Sequence, residues 1–151
     1  MNIGGIKTAL LGAICLVIGW GAATLLHECG HMAVAQSLGL PVTFGTFTLT
    51  TGSVFVSGDL TDAQAALIAV AGSLVLIITG VLMVRCSGNP AMRMVGVVFL
   101  CRAWIDALPI CDLDGGLIAG SAGYGMAILI PIVEVIICGS VIIDVISQEC
   151  S

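Results

Sequence analysis

Long uncharged apolar runs alternate along this chain with short polar interruptions. Thr8 to Leu26 carries no charge and continues in helix-compatible residues to Leu38, where Gly39, Leu40 and Pro41 stop it. Ala63 to Val84 is a second uncharged run, closed by Arg85 and the turn-forming Ser87-Gly88-Asn89-Pro90. Met92 to Ala119 is apolar but interrupted by Arg102, Asp106, Pro109, Asp112 and Asp114. Gly125 to Ile146 is a fourth run, holding Pro131 and Glu134. A helix crosses a bilayer with roughly 20 apolar residues. The pattern therefore predicts an all-α membrane protein of about four transmembrane helices, near 8–38, 63–84, 92–119 and 125–146, the third one broken. Val42 to Asp59 differs in kind. It is rich in Thr, Val and Phe, and Thr48-Leu49-Thr50 and Val54-Phe55-Val56 flank the turn signal Thr51-Gly52-Ser53. That predicts a β-hairpin over about 42–58, at or in the membrane interface. No repeat, linker or appended soluble domain is legible, so residues 1–151 read as one domain.

Composition supports the lipid reading. Hydrophobic residues make up 59 % of the chain and charged residues 9 %, against roughly 25 % charged in a soluble domain. So few charges leave most of a water-facing surface uncovered. No basic patch is present, which argues against nucleic acid as a partner. The seven cysteines include no C-x-x-C pair and lie mostly in apolar runs, where cysteine acts as a small hydrophobe; they read as free thiols. Lys7 followed by an apolar stretch resembles a signal peptide, but the stretch is long and runs into a polar motif, so it reads as a retained helix.

The polar motif is where the chemistry lies. The chain has two histidines, and they stand four residues apart in His27-Glu28-Cys29-Gly30-His31. Positions i and i+4 share one helix face, so both imidazoles can reach one Zn²⁺ at about 2.0–2.1 Å. Glu28, next to the first ligand, is placed to take a proton from a water and hand it to a leaving amine. Ionisable groups within a membrane helix cost roughly 2.5–3.5 kcal/mol each on insertion scales, which makes three in five residues hard to read as decoration. A third protein ligand must come from Asp, Glu or Cys. The candidates lie in the stretch from Asp106 to Gly116, where Pro109, Gly115 and Gly116 break the helix. Irregular backbone at membrane depth is tolerated where it lines a cavity or packs in protein. His31 is seven residues from Leu38, and Asp114 six from Gly120, where the third crossing ends. With alternating crossings both motifs then sit about 10 Å inside the same face.

Two motifs together resemble the site-2 protease family of intramembrane metalloproteases. One is Thr24-Leu-Leu-His27-Glu28-Cys-Gly30-His31. The other is Asp106-x-x-Pro109-x-x-x-Leu113-Asp114-Gly115, which matches the family's N-x-x-P-x-x-x-L-D-G at every fixed position except the first. The hairpin is also similar to the family's membrane-associated β element, and the resemblance spans about residues 10–120. It implies a core of three helices, zinc held by His27, His31 and Asp114, Glu28 as general base, and cleavage of a transmembrane protein substrate near one membrane face. Asp112, two residues from Asp114, is the alternative third ligand. Asp106 stands where the family has Asn, as a contact to substrate or transition state or as a second metal-facing group. An amide can donate to an oxyanion, whereas a carboxylate cannot unless protonated. The alternative reading is a catalytically weak metal-binding relative, acting as a membrane subunit or binding partner; a homo-oligomer or an accessory membrane subunit would also suit the chain. A metal transporter or sensor is the reading from another class, and would want more ligands along a path, for which Glu134 is the one candidate. Arg102 reads as a partner for a carboxylate, and Trp20 and Trp104 as lipid or core contacts. Lys7, Arg85 and Arg93 fall opposite the site, which points it outward by the positive-inside tendency; the family resemblance points it to the cytoplasm.

Overall fold

The structure, a computed structural model, describes residues 3–108, 114 and 123–149. The expected ligand alternative Asp112, and the Pro109 and Gly115–Gly116 breaks, lie outside the described residues.

Helix α1 runs Ile3–Ser37. Its end is set at Gly39, whose φ of 75° belongs to the left-handed region that closes helices; Leu40 N–H then folds back onto the Ala35 carbonyl at 3.0 Å. Helix α2 runs Asp62–Cys86 and opens on a capping box, with Thr61 and Gln64 each bonding the other's backbone N–H. Helix α3 runs Pro90–Ala107. Asn89, expected as part of a turn, caps it by accepting from Ala91 N–H at 2.9 Å, and Pro90 takes the first helical position, where its missing N–H costs nothing. Leu108 is extended, at φ −61° and ψ 136°, as the residue before a proline is driven to be. The expected third helix to residue 119 is therefore interrupted after Ala107. Helix α4 runs Tyr124–Glu149 with Pro131 inside it.

Strands β1 (Val42–Phe47) and β2 (Gly52–Val56) form an antiparallel hairpin, pairing Val42 with Val56 and Phe47 with Gly52. The turn lies earlier than expected. Thr48, Leu49 and Thr50 form its loop rather than a strand, and Gly52 and Ser53 belong to β2. The Thr48 hydroxyl explains this: it accepts from Thr51 N–H at 3.0 Å and from Thr50 N–H at 3.3 Å, so a side chain closes the turn ahead of the Thr51-Gly52-Ser53 signal. Between Phe44 and Phe47 the register shifts, where Thr46 N–H bonds the Ser53 hydroxyl at 3.1 Å instead of a backbone carbonyl.

Helices α1, α2 and α3 pack against one another, and α4 packs on α3 and α2. Two glycine contacts let the axes approach. A Cβ on Gly30 would stand 2.7 Å from the Ala71 carbonyl oxygen, and one on Gly96 would stand 2.9 Å from that of Gly80. Such small-residue contacts let helix backbones approach closely. The shared core is built from Leu76, Ile77, Phe99, Leu100 and Ala103, with Cys138 and Val141 from α4. The outward faces are apolar as well: Leu11, Ile18, Leu74, Ile78, Ile136 and Ile143 are all exposed. Leu10–Ser37 and Asp62–Cys86 are long and apolar enough to cross a membrane.

Candidate metal centre

His27, Glu28 and His31 lie toward the C-terminal end of α1, and all three are buried. The two imidazole rings meet edge to face, with centroids 4.5 Å apart. Helix α2 makes the room. Gly72 faces the His27 ring so closely that a Cβ there would stand 2.5 Å from Cε1. One turn earlier on α2 the Ile68 carbonyl accepts from His31 Nδ1–H at 2.6 Å. A carbonyl can only accept, so in the neutral ring the proton is on Nδ1 and Nε2 carries a lone pair.

Asp114 enters from the chain beyond α3. Its Oδ2 is 2.7 Å from His27 Nε2 and 3.1 Å from His31 Nε2, and the two Nε2 atoms are 2.9 Å apart. Three electron-rich atoms thus point at one another. A single proton on His27 Nε2 satisfies one of these approaches; a cation at their centre satisfies all three. Tetrahedral ligands about 2.0–2.1 Å from zinc stand about 3.3 Å apart, a few tenths of an ångström wider than this triangle. His27, His31 and Asp114 could hold a metal ion, and the donor set of two imidazoles and a carboxylate fits one that accepts nitrogen and oxygen.

The triad opens on a cavity of about 380 Å³ that Glu28, Arg102 and Asp106 also line. Every residue singled out for the site therefore reaches one space, except the undescribed Asp112. Glu134 is buried on α4 but does not line it. The hairpin forms the opposite wall through Gly52, Ser53, Val54 and Val56. It is docked by Thr24, whose hydroxyl reaches the Leu49 carbonyl at 3.3 Å, and by Leu49 lying over Gly21, where a Cβ would meet it at 2.7 Å. That docking sets Gly52 directly on the Glu28 side chain: a Cβ there would lie 2.8 Å from the carboxyl carbon.

Asp106 is 2 % exposed. Its Oδ1 pairs with Arg102 Nη1 at 2.9 Å, and its Oδ2 is 3.4 Å from His27 Nδ1. The Arg102–carboxylate pairing was legible from the i, i+4 spacing. The Ile68 carbonyl, Gly72 and Gly52 gave no sign of a place in the site, because a backbone acceptor and a missing side chain acquire such roles only through the crossing of elements. The described cysteines, Cys15, Cys29, Cys86, Cys101 and Cys138, are free thiols. Compared with protein-family models, curated proteins and solved structures, the chain matches none of them.

Proposed function

We propose that the protein is a zinc-dependent intramembrane endopeptidase of the site-2 protease kind, a multi-pass protein that cleaves a transmembrane segment of another membrane protein. The observation that carries this is the convergence of His27, His31 and Asp114 beside a buried Glu28, inside helices whose outward faces are apolar. Buried ionisable groups among apolar helices mark functional sites, and a zinc hydrolase needs three protein ligands with a neighbouring general base.

When bound, zinc supplies an acidified water and a Lewis acid for the scissile carbonyl. Glu28, buried beside the ligands, is the residue that would hold a proton taken from water and give it to the leaving nitrogen. The cavity wall contributes position. Strand β2 has one paired edge, to β1, and no second neighbour strand among the described residues. An unwound substrate segment laid along the other edge gains main-chain hydrogen bonds and lies against the wall that faces Glu28. Burial of His27, Glu28 and His31 limits the access of bulk lipid and excess water to the reacting groups.

The test is cleavage of a tagged transmembrane substrate by purified protein in lipid or detergent, with zinc content measured in parallel. Glu28→Gln is expected to keep zinc and lose cleavage. A Glu28→Gln protein that still cleaves at the wild-type rate contradicts the mechanism, and a wild type that holds zinc without cleaving any membrane substrate favours the binding-subunit reading.

A further inference from the structure

The face of His27 turned away from Asp114 has its own partners. Nδ1 of His27 and Oδ2 of Asp106 are both buried and stand 3.4 Å apart without forming a hydrogen bond, and neither has a hydrogen-bond partner among the described residues. The second oxygen of Asp106 is held by Arg102 at 2.9 Å. The Arg102 guanidinium in turn lies over the Trp20 ring, 5.4 Å from its centroid, within the range of a cation–π contact. One carboxylate is thus fixed by a cation that is itself fixed by α1, and its free oxygen faces an imidazole nitrogen.

We propose that Asp106 is the positioning residue for His27, and that Arg102 and Trp20 hold Asp106 for this task. The inference rests on the metal reading above and adds to it. With the metal bound, the 3.4 Å approach closes to a hydrogen bond in which Asp106 accepts from Nδ1–H, which fixes the tautomer and turns the Nε2 lone pair toward the metal. The same job is done for His31 by the Ile68 carbonyl. Each imidazole then has an acceptor behind it and the metal position in front, the arrangement that outer partners impose on metal-binding histidines. The imidazole ring stands between Asp106 and the triad centre, so the carboxylate acts through His27 rather than on the metal. This accounts for a carboxylate at a position where the resembling family has an amide: a charged acceptor behind the ring strengthens its donor nitrogen. It also accounts for Arg102, since Glu28, Asp106 and Asp114 bring three formal negative charges to one cavity and Arg102 brings one positive. A divalent cation completes the balance, and a buried cluster of carboxylates without it is costly.

The experiment measures zinc affinity by competition with a chromophoric chelator, and the visible absorption of the Co²⁺-loaded protein, for full-length wild type, Asp106→Ala, Asp106→Asn and Arg102→Gln in detergent. Loss of an outer partner typically weakens metal binding about 10–100-fold, and Asp106→Ala is expected in that range. Asp106→Asn keeps the volume and an acceptor oxygen. It is expected to weaken zinc less than tenfold while shifting the Co²⁺ bands. Arg102→Gln, which leaves Asp106 in place but unclamped, is expected to fall between them. Wild-type affinity and unchanged Co²⁺ bands in folded Asp106→Asn and Arg102→Gln overturn the proposal even if Asp106→Ala unfolds. Equal losses in Asp106→Ala and Asp106→Asn overturn the acceptor role. A wild type that binds neither metal overturns the underlying metal reading, which is a distinct outcome.

Discussion

At the scale of residues, His31 and Gly52 act by opposite means. His31 is fixed by a bond it makes, Nδ1–H to the Ile68 carbonyl at 2.6 Å, and its other nitrogen is left to face the triad. Gly52 acts by what it lacks, because its Cα position is where the Glu28 carboxyl would meet any side chain. Gly52→Ala must push Glu28 or the hairpin aside. Misplacement of a reacting group by about 1 Å can cost on the order of 100-fold in rate, so steady-state cleavage by Gly52→Ala should fall about 10–100-fold while zinc affinity, read by chelator competition, stays at the wild-type value. An equal loss of zinc would mean that the substitution disrupts the ligands and not the base. Of these residues the sequence shows His27, Glu28 and His31 plainly, because an i, i+4 pair defines its own geometry. The two glycines and the Ile68 carbonyl are silent until helix and hairpin are docked.

At the scale of elements, the first two helices cover the first two uncharged runs, while the third, which carries Arg93, Arg102 and Asp106, stops at Ala107 before Pro109. The ends are less legible. Asn89-Pro90 reads as a turn and serves as a cap, because the same side-chain acceptor that closes a turn also closes a helix start. The hairpin was legible as an element but not in its turn. Thr48 uses its hydroxyl to close the loop, and a threonine also has high strand propensity, so pattern alone places it in a strand. Packing between α2 and α3 depends on Gly80 and Gly96. A methyl on Gly96 meets the Gly80 carbonyl oxygen and the Val84 side chain, both at 2.9 Å, and forcing it in should cost about 1–3 kcal/mol. The thermal midpoint of Gly96→Ala in detergent should drop accordingly, whereas Gly88→Ala, whose Cβ meets nothing within 4 Å, should melt as wild type does. Equal midpoints for the two variants would show that α2 and α3 do not pack through this contact.

At the scale of the whole molecule, the three-helix packing of α1, α2 and α3 brings together groups separated by 87 residues, His27 and Asp114. The paired motifs anticipated that meeting; the side chains that support it, Asp106 behind His27 and the hairpin over Glu28, depend on the third dimension. The central claim is that His27, His31 and Asp114 form one zinc site. X-ray absorption at the zinc edge, on protein purified in detergent with stoichiometric zinc, tests it most directly. The account predicts a shell of nitrogen and oxygen at about 2.0–2.1 Å with the outer scattering of two imidazoles, reduced to one in His31→Ala. A shell containing sulfur at about 2.3 Å, or an imidazole signal unchanged in His31→Ala, would contradict it.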